Sequence, residues 1–205
     1  MGQTEECPDF DDKMKKFTKS EIRAVGVILL GIFILSFFNF RVSLRRARDS
    51  QRKSDIGSIY EALNNYFQDF GQFPLSSADG KIIACKGPET KLDPLTGVVV
   101  NLVPCEWGQD SLRDVMDLEY SEYLKVLPAD IHNKKGATYL YFSTGSRYQL
   151  YAALEGKTEA EYDVKIVARD LKCGLKICNF GKASGNTPLD KSIEEYENEL
   201  VKQKK

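Results

Sequence analysis

Residues 24–40, AVGVILLGIFILSFFNF, form a run without a single charged side chain. Wound as a helix at about 1.5 Å per residue, the run spans roughly 26 Å. The hydrocarbon core of a bilayer is about 30 Å thick, so this is the short end of a spanning helix. Ile22, Val42 and Leu44 can lengthen it, while Arg23 and Arg41 can snorkel to the headgroups. A buried core helix of a soluble protein is the competing reading. The run is apolar on all sides and charged at both ends, which favours the bilayer. A cleaved secretory signal fits poorly, because the run starts late and is followed by Arg41, Arg45, Arg46, Arg48, Arg52 and Lys53 rather than a small-x-small site. The expectation is an uncleaved anchor.

The rest of the chain reads as soluble. Across its 205 residues, 29 Lys and Arg face 30 Asp and Glu, without the basic excess of a nucleic-acid binder. Hydrophobic residues at 42% argue against wholesale disorder, and a mean hydropathy of −0.37 excludes a polytopic membrane protein. With one His, a multi-His metal site is excluded. Charge does not orient the anchor: Lys13, Lys15, Lys16, Lys19 and Arg23 on one side nearly balance the basic residues on the other. Cysteines cast a second vote. Cys85, Cys105, Cys173 and Cys178 follow the run and Cys7 precedes it, which points to two disulfides on an oxidising side. Three pairings are open, with Cys85–Cys105 and Cys173–Cys178 favoured. Four reduced core thiols are the alternative, and no CxxC pair supports zinc.

Between Pro8 and Pro74 there is no proline. Past the apolar run, Ile56, Ile59, Tyr60, Leu63, Tyr66, Phe67 and Phe70 repeat at helical spacing and form one stripe. Gly71 stands where a C-cap belongs, and Pro74 prevents continuation. One helix from Thr18 to Phe70, roughly 80 Å long, is therefore predicted. Its first half is apolar all round; its second half is one-sided and lies on a soluble domain.

In that domain, residues 81–85 and 98–103 are β-prone and flank a turn at 93–97; pairing them brings Cys85 near Cys105. Residues 111–126 hold a short helix ending before Pro128. A hairpin follows, with strands at 138–143 and 147–154 turning at Thr144-Gly145. The alternation over 163–170 reads as a third strand. Together these give an antiparallel meander packed by one face on the helix, a two-layer α+β fold. The tyrosines are read as sheet and core residues. The tail from residue 183 is either disordered or a short helix capped by Asp190, with Ile193, Tyr196 and Leu200 on one side.

The segment KKFTKSEIRAVGVILLGIFILSFFNF resembles the N-terminus of type IV pilin-like proteins. In that family a charged leader is cut before a Phe, an acidic residue follows at the fifth mature position, and an apolar helix ends in Pro-Asn-Phe. Phe17, Glu21 and Asn39-Phe40 fall on those positions. RRARDSQRKSDI, GQFP and residues 123–154 are similar to the continuation and sheet region of major pseudopilins of type II secretion, so the resemblance covers most of 17–155. The pattern also departs from the family. Lys16 stands where a small residue, usually Gly, precedes the cut. Lys19 and Ser20 replace apolar residues, Arg23 adds a charge, and Phe38 replaces the proline. The resemblance implies processing between Lys16 and Phe17 by a prepilin peptidase; a chain keeping its leader would be an unprocessed, pilin-derived membrane protein.

Glu21 has two readings. By the resemblance it pairs with the free amine of a neighbouring subunit, relieving the cost of a carboxylate near lipid. By local chemistry Thr18 and Glu21 form a capping box, which the helix dipole also favours. Residues 41–53, with Arg41, Arg45 and Arg46 at the membrane flank, are expected to face anionic headgroups, with acidic faces of neighbouring subunits as the second reading and nucleic acid as the third. No Gly-rich phosphate loop, GxSxG or HExxH occurs, and no catalytic residue is expected. His132 is expected to be solvent-exposed. Glu155, Glu159, Glu161 and Asp163 are read as solvated surface, although the resemblance raises Ca²⁺ there; no other cofactor is implied.

The expected organisation is a cytosolic leader or tail over 1–16, a transmembrane half-helix over 17–40 and an amphipathic half over 41–71. An extracytoplasmic domain over 72–182 and a polar tail over 183–205 follow. The expected function is that of a structural subunit of a pilus-like or pseudopilus-like filament in the cytoplasmic membrane. Its partners would be membrane lipid, like subunits and the assembly machinery, with no nucleic acid. The alternative is an unprocessed, single-pass, extracytoplasmic binding module that does not polymerise.

Overall fold

The computed structural model describes residues 18–203 apart from 118 and 120, so Lys16, Phe17 and Cys7 lie outside the described residues. Helix α1 (Lys19–Phe70) is unbroken. It stops at Gly71, whose φ of +69° suits a residue without Cβ and whose N–H reaches the Phe67 carbonyl at 2.8 Å. The chain divides into two compact units, Met1–Ser43 and Leu44–Lys205, described in turn. In the first, every described residue is exposed. The segment is thus a bare helix with no protein core of its own.

The second unit is α+β and begins with the amphipathic part of α1. Short strands follow: β1 (Leu75–Ser76), β2 (Ile82–Cys85), β3 (Lys91–Leu92), β4 (Val99–Val100) and β5 (Val103–Pro104). Then come the hairpin β6 (Leu140–Ser143) and β7 (Tyr148–Ala152), helix α2 (Val164–Ala168), β8 (Lys172–Cys173), β9 (Lys176–Ile177), β10 (Phe180–Ala183) and helix α3 (Ile193–Gln203). All pairings are antiparallel, and the main sheet has the order β10-β7-β6.

Alternation along β6 and β7 decides which residues meet the helix. Tyr139, Tyr141, Leu150 and Ala152 share one core with Ile56, Ile59 and Leu63 of α1. Leu140 and Tyr151 point the other way and pack with Ile166, Cys173 and Cys178. Both faces are therefore covered, all five residues of β7 are buried, and the unit has a further layer beyond the two expected.

Several local expectations are corrected. Residues 163–170 are not a strand. Asp163 caps α2 by accepting the Lys165 N–H at 2.8 Å, and β10 takes the third place in the sheet. Among the described residues of 111–126 there is no helix. Leu112 and Leu124 form an isolated antiparallel bridge, while Asp114 and Asp117 accept nearby backbone N–H groups and divert the chain into turns. The expected pairing of 81–85 with 98–103 holds only at its far end: β2 pairs with β5, Cys85 opposite Val103, and also with β1, whereas β4 pairs with β3, so the 93–97 turn closes its own small ribbon. Asp190 does not cap the last helix. Ser192 and Glu195 do so reciprocally, at 3.1 and 2.8 Å.

Two disulfides are present, Cys85–Cys105 and Cys173–Cys178, the pairs favoured from the sequence. The first ties β2 to the residue after β5. The second closes a tight loop at Gly174, where φ is +70° and a Cβ would lie 1.8 Å from the Gly136 carbonyl oxygen.

In the core, the Tyr148 hydroxyl is buried with no hydrogen-bond partner among the described residues. Its ring touches Phe73 edge-on, with centroids 4.7 Å apart. A buried hydroxyl without a partner costs about 1–3 kcal/mol. Tyr148→Phe should therefore leave stability unchanged or raise it within that range, measured by urea unfolding of the detergent-extracted chain. A clear loss would mean that the hydroxyl has a partner.

Candidate functional site

Two regions carry the chemistry of this chain. The first is the bare helix. At its start the Thr18 N–H donates to Glu21 Oε2 at 2.7 Å, and the Thr18 hydroxyl donates to the same oxygen at 2.9 Å. The return contact, from the Glu21 N–H to Thr18 Oγ1, is 3.4 Å. Glu21 thus already has a partner in its own chain. Beyond it the apolar side chains of residues 24–40 are all exposed, and the helix is long and apolar enough to span a membrane. Arg23 is exposed at the head of the run. Arg41 lies over the Phe37 ring, 4.7 Å from its centroid, as expected of a guanidinium near aromatic side chains. In the second unit Arg46 is exposed and Arg45 is half-buried, its Nε without a hydrogen-bond partner among the described residues.

The second region is a buried ionic cluster, and it corrects the reading of residues 41–53 as a headgroup-facing stretch. Arg52 is 0% exposed. Its guanidinium donates to Asp130 at 2.7 and 3.2 Å, to Asp49 at 2.9 Å and to Glu155 at 3.0 Å. Arg48 grips Glu155 with two parallel bonds of 3.0 and 2.6 Å. Asp49 in turn accepts the backbone N–H groups of Glu155 and Gly156 at 2.8 and 2.9 Å. Lys53 reaches Glu159 and Glu161 at 3.2 and 3.0 Å. Only the first part of the basic stretch is left to meet a surface.

His132 is half-buried rather than free in solvent. Its ring Nδ1 lies 3.1 Å from an Arg52 nitrogen and 3.4 Å from Glu155, and its backbone N–H donates to Asp130 at 2.7 Å. The four acidic residues read as solvated surface are likewise engaged. Glu155, Glu159 and Glu161 hold the helix cations, and Asp163 caps α2. Among the described residues no group of three or more His, Cys, Asp or Glu is arranged to hold a metal ion.

The electrostatics follow from these contacts. Arg48 and then Arg52 hold the Glu155 carboxyl well below its ordinary 4.5, at about 2, against the opposing effect of burial. Burial pushes Asp130 up, but hydrogen bonds from Arg52 and the His132 N–H outweigh it and leave the carboxyl lowered. Burial, reinforced by a 2.6 Å hydrogen bond to Asp55, keeps the Tyr139 phenol protonated.

Sequence reasoning missed this cluster although its signal was present. Counting back from Ile59 and Ile56 at helical spacing, the buried stripe continues to Arg52 and Asp49. Ions on a buried face require partners of opposite charge from elsewhere in the fold. The partners themselves, Asp130 and Glu155, are 78 and 103 residues from Arg52, and nothing local announces them.

No protein-family model, no curated protein and no solved structure matches this chain. Its architecture, a long N-terminal helix packed on small antiparallel sheets, is pilin-like.

Two outcomes are expected. Arg52→Met leaves Asp49, Asp130 and part of Glu155 without their cation, and should destabilise the fold by about 3–5 kcal/mol in denaturant titration. Because the Glu155 pKa is depressed on folding, its contribution is complete above pH 4.5 and fades as pH falls toward about 2. Asp130 acts in the same direction. In Glu155→Gln the loss of stability across that window should be visibly shallower than in the parent.

Proposed function

We propose that this chain is a structural subunit of a pilus-like or pseudopilus-like filament, assembling through its N-terminal helix and catalysing nothing. The observation that carries this reading is the fully exposed apolar stretch of α1, continuous in one helix with a stripe that packs on an antiparallel sheet. Such a surface is stable only in lipid or against similar helices. Membrane storage followed by helix bundling uses both environments in turn. Two disulfides fit an extracytoplasmic location for the sheet unit, and the cytoplasmic membrane is the compartment in which the helix would wait. Assembly machinery and a prepilin peptidase would be the partners at that stage.

The alternative, an unprocessed anchored binding module, is favoured by one observation. The Glu21 carboxylate accepts both donors of Thr18 and so does not need a neighbour's amine.

Intact mass and N-terminal sequencing of chain extracted from membranes, together with electron microscopy of sheared surface or periplasmic material, separate the two. A filament subunit should be recovered from filaments, with Phe17 as first residue if it is processed. Recovery only as full-length monomer in the membrane fraction would overturn the filament reading.

A further inference from the structure

The loops at one end of the second unit close around the turns of α1 that enter it. Asp130 and His132 meet Arg52, the N–H groups of Glu155 and Gly156 meet Asp49, and Lys176 Nζ lies 3.9 Å from Glu155. The acidic side chains there are already taken. Arg52 holds Asp49 and Asp130, Arg48 and Arg52 hold Glu155, Lys53 holds Glu159 and Glu161, and Lys172 holds Asp170. The outer lysines are not. Lys134, Lys135 and Lys157 are exposed, and none of them forms an ion pair among the described residues. Lys157 and the loosely paired Lys176 line one cavity. Apolar side chains stand among these cations. Leu175, at the tip of the β8–β9 hairpin, is 84% exposed. Its N–H donates at 2.8 Å to the carbonyl of Gly136, the residue that ends the turn Asn133–Lys135. Ile131, 53% exposed, precedes the same turn.

We propose that these loops dock on the anionic headgroups of the membrane in which α1 is anchored. Leu175 and Ile131 enter the headgroup boundary, and Lys134, Lys135, Lys157 and Lys176 meet lipid phosphates. An apolar tip set among uncompensated lysines is the surface that an anionic bilayer recognises, because burial of the tip and attraction of the charges act together. A second copy would present the same positive face and be repelled. The chain itself favours lipid over a soluble acidic partner. Arg45, in the turns that enter the unit, follows closely on the apolar run that ends at Phe40, so the anchor gives the bilayer a high effective concentration at this end. The proposal rests on the membrane-anchored stage of the filament reading, which the binding-module alternative shares. It assigns headgroup contact to folded loops, whereas the later cations of the helix are consumed inside the fold.

The test uses the full-length chain reconstituted into vesicles of phosphatidylcholine alone and of phosphatidylcholine mixed equally with phosphatidylglycerol. A membrane-impermeant amine reagent labels the outward-facing units, and mass spectrometry reads the rate at each lysine. Each lysine beside an anionic surface favours docking by about fivefold, so Lys134, Lys135 and Lys157 should label about tenfold more slowly in the anionic vesicles. Exposed Lys91 of β3 is the internal control, because β4, its partner strand, lines a cavity with Phe70 at the other end of α1, and its rate should not change. Leu175→Glu alters a side chain that is 84% exposed, so the variant should fold as the parent does and should return the three rates to their values in neutral vesicles. Salt at about 1 M, where screening acts within about 3 Å, should do the same. Equal rates in the two vesicles, protection that survives Leu175→Glu, or equal slowing of Lys91 would overturn the docking. Protection that follows the protein density and not the lipid charge would assign the face to a second copy and also overturn it. In each of these cases a chain that resists carbonate extraction leaves the anchored stage standing. A chain that carbonate removes from the vesicles would overturn both.

Discussion

A guanidinium taken wholly out of water must be surrounded by acceptors, and the fold of the second unit is arranged around that requirement at Arg52. Asp49 comes from the preceding turn of the same helix, Asp130 from the loop before the central hairpin, and Glu155 from just after β7. Each contact fixes one segment relative to α1. Because Asp49 also accepts two backbone N–H groups at residues 155 and 156, the chain leaving the sheet is clasped at both side chain and main chain. A buried ionic group of this kind contributes less to stability than its bond count suggests, since desolvation offsets the attraction. What it adds is register. The apolar stripe of Ile56, Ile59 and Leu63 could slide by a helical turn with modest loss, but the Arg52 contacts permit only one seating.

Elements written in local periodicity were legible in the sequence. The long helix and its end at Gly71 follow from spacing, the absence of proline and one glycine. The Tyr-rich hairpin follows from alternation about Thr144-Gly145. What failed was settled by competition. Val164, Ile166 and Ala168 alternate as a strand should, yet a good cap at Asp163 and an occupied sheet edge turn them into a helix. The 111–126 segment has helix-forming residues, yet its aspartates bond to nearby amides and end each attempt. His132 looked like a loop residue facing water because its neighbours in sequence are polar; its neighbours in space are Arg52 and Glu155. Of the candidate site, the exposed apolar helix and its Thr18 cap could be read directly, and the ionic cluster only from its continuation of the stripe.

The two halves of α1 face opposite demands. Among the described residues up to Ser43 every one is exposed, Arg23 and Arg41 at the flanks of the run included. After Leu44 the same helix supplies the charged and apolar residues around which a mixed fold closes. No proline lies between the two regimes, and helix α1 runs from one into the other.

The segment after β10 has a bearing on how the chain is made. Buried Gln149, at the middle of β7, gives its amide to the carbonyls of Pro188 and Lys191, and Tyr151 gives its hydroxyl to that of Leu189. The central strand therefore waits for acceptors that lie 38 to 42 residues further along the chain. During biosynthesis the apolar helix emerges before the sheet, and the sheet unit stays unfinished until residues 188–191 have left the ribosome. Until then β7 lacks acceptors for its buried amide and phenol, and the fold closes only once that segment docks.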